Sequence, residues 1–183
     1  MAQTRIISAH ITKKNTLKAK YTQKEVGKGG LDTLYDTEQT KKTTQEIHRD
    51  LDYAYQKMVP HLMFSTQLID KSVAIPADME PENYFNDFFW EDDKRFDGIH
   101  ITGIKTFGKH AVEGIYLYGY KMTEFDDVVE LKSPLISLDR SPANTYPLHV
   151  LFGAQMETLL TEIELYIFEG KSVNDNQLSL ELK

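Results

Sequence analysis

The chain contains no cysteine, which excludes a disulfide framework, a thiolate metal site and a cysteine nucleophile. No apolar run approaches the roughly 20 residues that a helical membrane span needs. The opening MAQTRIISAH lacks the apolar core of a secretory leader, so a cytoplasmic protein is expected. No second histidine stands at H-E-x-x-H spacing from His61, and a lone histidine inside an apolar pattern reads as structural. Asp92, Asp93 and Asp97 lack the D-x-[DN]-x-[DN]-G order of a calcium loop. Gly103-Ile-Lys-Thr-Phe-Gly108-Lys109-His110 misses the phosphate-loop pattern at its last position, where His110 replaces the hydroxyl that would hold magnesium. The residues that follow alternate like a strand, so a hairpin loop is expected there. With no converging catalytic set, we expect neither an enzyme nor a bound metal or cofactor.

What is present is ordinary globular material. The chain has 183 residues, 40% hydrophobic and 27% charged, enough for one domain with a real core. A composition change at Lys171 divides it into a domain over 1–170 and a polar tail over 171–183. The net charge of −7 is unevenly spread. Residues 1–30 carry Arg5 and six lysines against Glu25 alone, whereas 78–97 are strongly acidic.

The densest run of β-branched and aromatic residues lies within 98–138, and glycines and polar clusters cut it into strands near 99–105, 112–121 and 127–132. In the second of these, Ile115, Leu117 and Gly119 fall on one face and Tyr116, Tyr118 and Tyr120 on the other. Three tyrosines in a row form either a stacking platform for single-stranded bases or an amphipathic cover for the sheet. At the N-terminus, Ile7, Ala9 and Ile11 alternate, as do Leu17, Ala19 and Tyr21, around a Lys13-Lys14-Asn15 turn. This predicts a basic hairpin whose Lys13, Lys14, Lys18 and Lys20 either track a phosphate backbone or blunt the sheet face.

Residues 24–42 read as a loop, with a short strand near Leu31–Tyr35. A helix is predicted from Thr43 or Thr44, with Ile47, Leu51, Ala54, Met58, Leu62 and Ser65 on one stripe and a kink or break at about Val59 imposed by Pro60. Residues 72–97 form an irregular insertion in which Phe85, Phe88, Phe89 and Trp90 accompany acids; a partner-binding, inhibitory surface is one reading of it. A closing helix over 148–169 presents Phe152, Met156, Leu159, Leu160, Ile163, Tyr166 and Ile167 either to the core or to a second copy, and ends at Gly170. The expected fold is α+β: an antiparallel sheet made from the hairpin and the meander, two main helices on one face, and a flexible C-terminal tail.

The tail ends Gln177-Leu178-Ser179-Leu180-Glu181-Leu182-Lys183. QLSLEL resembles the hexapeptide form, Q-L-x-L-x-L, of the motif by which bacterial replication and repair proteins dock on the sliding clamp. The resemblance implies that Leu178, Leu180 and Leu182 anchor in an apolar groove while Gln177 sets the register. The same alternation also spells an edge strand of the protein's own sheet. More loosely, the layout resembles small proteins encoded near the recombination and replication genes of tailed bacteriophages. The shared elements are the hairpin, Val59-Pro60-His61-Leu62, Thr102-Gly103, and Glu169-Gly170-Lys171 before a leucine-bearing tail. This likeness implies an accessory factor in the host cytoplasm and supplies no activity. The expected partners are therefore a sliding clamp, reached through the tail, and DNA, single-stranded above all, met by the tyrosine and lysine face.

Overall fold

Alternating segments from both halves of the chain meet in one antiparallel sheet. The computed structural model describes residues 4–26, 34–69, 94–108, 111–139, 144 and 146–171. Its strands are β1 (Thr4–Ile11), β2 (Thr16–Val26), β3 (Leu34–Glu46), β4 (Ile99–Phe107), β5 (Gly114–Met122), β6 (Val128–Lys132) and β7 (Ile136–Ser137). The order across the sheet is β3-β2-β1-β4-β5-β6, with β7 also pairing to β5. The expected hairpin and meander are thus joined where β1 lies against β4, at Ser8↔Lys105, Ala9↔Ile104 and His10↔Gly103.

The hairpin turns at Lys13–Asn15. Asn15 takes φ 54° there, a left-handed conformation that asparagine tolerates better than most residues, and the Thr12 amide closes the turn on the Thr16 carbonyl at 2.8 Å. As the alternation predicts, Leu17, Ala19 and Tyr21 are buried. In β1 the expected Ile7 face is corrected. A bulge between Ile6 and Ser8 reverses the alternation, so Ile6 is buried together with Ala9 and Ile7 is only partly covered.

A second correction concerns β3. Residues 34–46 form a long strand in place of the expected loop, short strand and helix start. Its sequence, LYDTEQTKKTTQE, has little apolar alternation because it is an edge strand with one neighbour. A ladder to β2 running from Val26↔Leu34 to Thr16↔Glu46 holds it in place. The helix consequently starts at Arg49, where the His48 ring accepts the Asp50 amide at 3.1 Å.

The helical layer covers one face of the sheet. It consists of α1 (Arg49–Gln56), α2 (Val59–Ser65) and α3 (His149–Glu164), the last continuing as a wider turn over Leu165–Glu169. Pro60 divides α1 from α2 as expected and is accommodated in the first turn of α2, where its missing N–H leaves no bond unmade. Gly170 ends the last helix with φ 74°. Leu51, Tyr55, Met58 and Leu62 meet Phe152, Met156, Leu159 and Ile163 over Ala9, Leu17, Ile104, Ile115 and Leu117. The closing helix therefore spends its stripe on the core. No described helix is long and apolar enough to cross a membrane.

Two sites set how this layer sits. Gly119 lets α2 settle on β5, because a Cβ there would stand 2.8 Å from Leu62 Cδ2 and would overlap the His100 carbonyl. His61 is completely buried. Gln155 Oε1 can only accept, so the His61 Nε2–H donates to it at 2.9 Å and Nδ1 takes the Tyr146 hydroxyl proton at 2.6 Å. The ring is a neutral strut between α2, α3 and the connector before α3, which accords with its structural reading from sequence. Burial pushes its pKa down to about 4, with the Gln155 bond opposing the shift.

Both sites carry predictions. Gly119→Ala should destabilise the fold by about 1–3 kcal/mol through overpacking, seen as a lower urea midpoint at unchanged slope. For His61, the unfolded ring binds a proton below pH 6.5 and the folded ring resists until about 4. Its contribution is whole above pH 6.5 and is lost as pH falls toward 4, on the order of 3 kcal/mol in all. Urea midpoints measured between pH 7 and about 4.5 should fall more steeply for the native chain than for His61→Gln; parallel profiles would refute this.

Candidate nucleic-acid interface

Strand alternation sends Tyr116, Tyr118 and Tyr120 to the face opposite the helices. All three are half-buried there, and among the described residues no helix packs over them. Register decides what stands beside them. Lys42, Lys18, His10, Gly103, Tyr118 and Lys132 are successive cross-strand partners and form a row over all six strands of the main path. Five interstrand spacings make this row ~24 Å long. A parallel row runs Thr40, Lys20, Ser8, Lys105, Tyr116, and a shorter one His100, Tyr120, Glu130.

The first row works because Gly103 has no side chain. A Cβ there would overlap Nδ1 of His10 and lie 2.7 Å from the Ala9 carbonyl. The His10 ring instead crosses β4 and meets Tyr118, with centroids 5.7 Å apart. Burial and the neighbouring Lys18 ammonium hold His10 below the usual histidine range, so at neutral pH it is an uncharged ring. His100 stacks on Tyr120 at 4.9 Å with 30° between the planes. The Lys132 ammonium sits 5.1 Å from the Tyr116 centroid and 5.6 Å from that of Tyr118, within cation–π range.

The charge on this face runs against that of the whole chain. Its cations are Arg5, Lys18, Lys20, Lys42, Lys105 and Lys132, against Glu38 and Glu130 among the residues whose side chains are described. Glu38 pairs with Lys20. Lys18, Lys42, Lys105 and Lys132 have no ion-pair partner among the described residues. Two hollows adjoin the rings. One, of about 480 Å³, lies between β4, β5 and β6 and is lined by His10, Tyr118, Tyr120, Glu130 and Lys132. The other, of about 390 Å³, lies between the β1–β2 turn, α1 and β4 and is lined by Lys13, Asp52, Gln56, His100 and Tyr120. Thr102 and Tyr120 border both.

The fold therefore brings Lys18 and Lys20 onto the tyrosine face, puts Lys13 at its margin, and leaves Lys14 exposed at the hairpin tip. Sequence reading missed several members. His10 was within reach of it, since it alternates with Ala9 in a predicted strand. Lys42 was hidden by the mistaken loop, and Lys132 needed knowledge of which strand pairs with which. Residues 103–107 lie in β4 and Gly108 follows at φ 126°, and among the described residues no helix stands between β4 and β5, so the context of a phosphate loop is not found there; Lys109 and His110 lie outside the described residues. Gln177, Leu178, Leu180 and Leu182 lie outside the described residues, as does the aromatic and acidic segment up to residue 93. Among the described residues no group of three or more side chains is arranged to hold a metal. Comparison of the chain with family models, curated proteins and solved structures finds no match, so any reading of this face rests on its own residues.

Proposed function

We propose that the protein is a non-enzymatic accessory factor of DNA replication or recombination that binds single-stranded DNA on the helix-free face of its sheet. One observation carries the reading: the register places Tyr116 in a row with Lys105 and Tyr118 in a row with Lys18, Lys42 and Lys132, lysines that have no acidic partner among the described residues, and Tyr120 is the next ring on the same strand face. Successive tyrosines on one strand face stand about 7 Å apart, two residue rises, and so offer separate surfaces to separate bases. Aromatic faces act on bases that are already unstacked, and lysines beside them neutralise the phosphates between. A duplex would offer this face its phosphates and not its bases.

The tail motif favours a second activity, docking on a bacterial sliding clamp through Gln177, Leu178, Leu180 and Leu182. The two readings are compatible in space. Lys171, the last described residue, is held at 2.7 Å by Asp50 and 2.8 Å by Glu162 on the helical layer, across the sheet from the tyrosines. The likeness to phage replication-region proteins supports the same setting.

Anisotropy titration of a labelled single strand should give binding that weakens steeply with salt. Tyr118→Ala should weaken it about tenfold or more, the loss of one stacked base. Lys18→Ala should lower the slope of log affinity against log salt by about 0.7. A native protein that ignores single strands, or prefers duplex, would defeat the proposal. For the tail, calorimetric titration of bacterial sliding clamp should show micromolar binding by the whole chain and none by a chain ending at Asp175. Equal heats from the two would exclude the tail.

A further inference from the structure

On a surface that holds phosphates, a carboxylate costs affinity unless it faces something else. Glu130 is such a group. It is exposed, and it makes no ion pair with any described residue. It is also the direct cross-strand partner of Tyr120, whose other neighbour is the stacked His100 ring. Side chains directly opposite on one sheet face stand about 5 Å apart at Cβ, so the carboxylate borders any base laid on the His100–Tyr120 shelf. The hollow of about 480 Å³ beside that shelf has Glu130 on its wall and Lys132 next to it.

An ionised carboxylate accepts hydrogen bonds and donates none. Guanine presents two adjacent donors on its Watson–Crick edge, N1–H and the N2 amino group, which match the two carboxylate oxygens as a parallel pair. Cytosine and adenine each present one amino group beside a ring nitrogen whose lone pair repels the second oxygen. Thymine presents one N3–H between two carbonyls and is the poorest match. Lys132, two residues along the same strand face, is placed for the phosphate of the base that Glu130 reads.

Resting on the single-strand reading above, we infer that Glu130 makes this face selective, so that guanine-bearing single strands bind in preference to thymine-only ones. The base is read above His100 and Tyr120. Glu130 is a specificity residue; the rings and lysines supply affinity for any sequence.

The test uses the full chain and four single strands of about twelve nucleotides, within the usual site size for such proteins. One is all thymidine, and three alternate thymidine with deoxyguanosine, deoxycytidine or deoxyadenosine. In competition anisotropy under sodium, the guanine strand should bind about tenfold tighter than the thymidine strand. Glu130→Ala should reduce that ratio to about twofold or less, through weaker guanine binding and slightly tighter thymidine binding as one repulsive charge leaves. Glu130→Gln, which keeps one acceptor, should fall between them. Position 130 is exposed on an edge strand, so both variants retain the backbone pairing of β6. If all four strands bind the native protein alike, or if the guanine preference survives Glu130→Ala, the inference is wrong and the single-strand reading stands. If no strand binds, the reading of the face falls and takes the inference with it.

Discussion

The three-residue pairing of β1 with β4 is the constraint on which the rest of the structure depends. It joins a basic hairpin to an aromatic meander, two units with no reason of their own to align. A bulge stands next to it on each side, between Ile6 and Ser8 in one register and between Ile101 and Gly103 in another. Bulges pin register, because the surplus residue fits in one place only. A slip of β1 by one residue against β4 would turn Ala9 outward and send His10 into the core. The join therefore secures the core and the row of lysine, histidine and tyrosine side chains together.

The two faces divide the work. The inner face is paired with helices and closed by aliphatic packing, and His61 within it is neutral and bonded at both ring nitrogens. The outer face keeps rings, lysines and two glutamates, Glu38 paired with Lys20 and Glu130 without an ion pair, side by side without helical cover among the described residues. Small residues lie where the layers come closest. Gly119 admits Leu62 from below, and Gly103 admits the His10 ring from above. Neither is a turn residue, and each is explained by what lies against it.

Much of this was legible beforehand because it follows from local periodicity. The tyrosine face of β5, the inward Leu17, Ala19 and Tyr21, the break at Pro60 and the helix end at Gly170 all come from spacing or from backbone restrictions that neighbours cannot override. The failures share a cause as well. An edge strand with one partner needs no apolar alternation, so β3 looked like a loop and Lys42 was lost with it. A bulge reverses parity without any sign in composition, so Ile7 was given the place of Ile6.

The sequence by itself determined which residues β2 and β5 show to each side, since where no bulge intervenes that depends only on the alternation of a pleated backbone. It also determined that the tail breaks from the domain in composition and carries a clamp-like hexapeptide. Only the tertiary structure decided which strands are neighbours. Cross-strand partnership is a long-range matter, set by core packing and bulge placement between residues a hundred positions apart. For that reason Lys18, His10, Tyr118 and Lys132 became one surface, and Glu130 came to stand beside Tyr120.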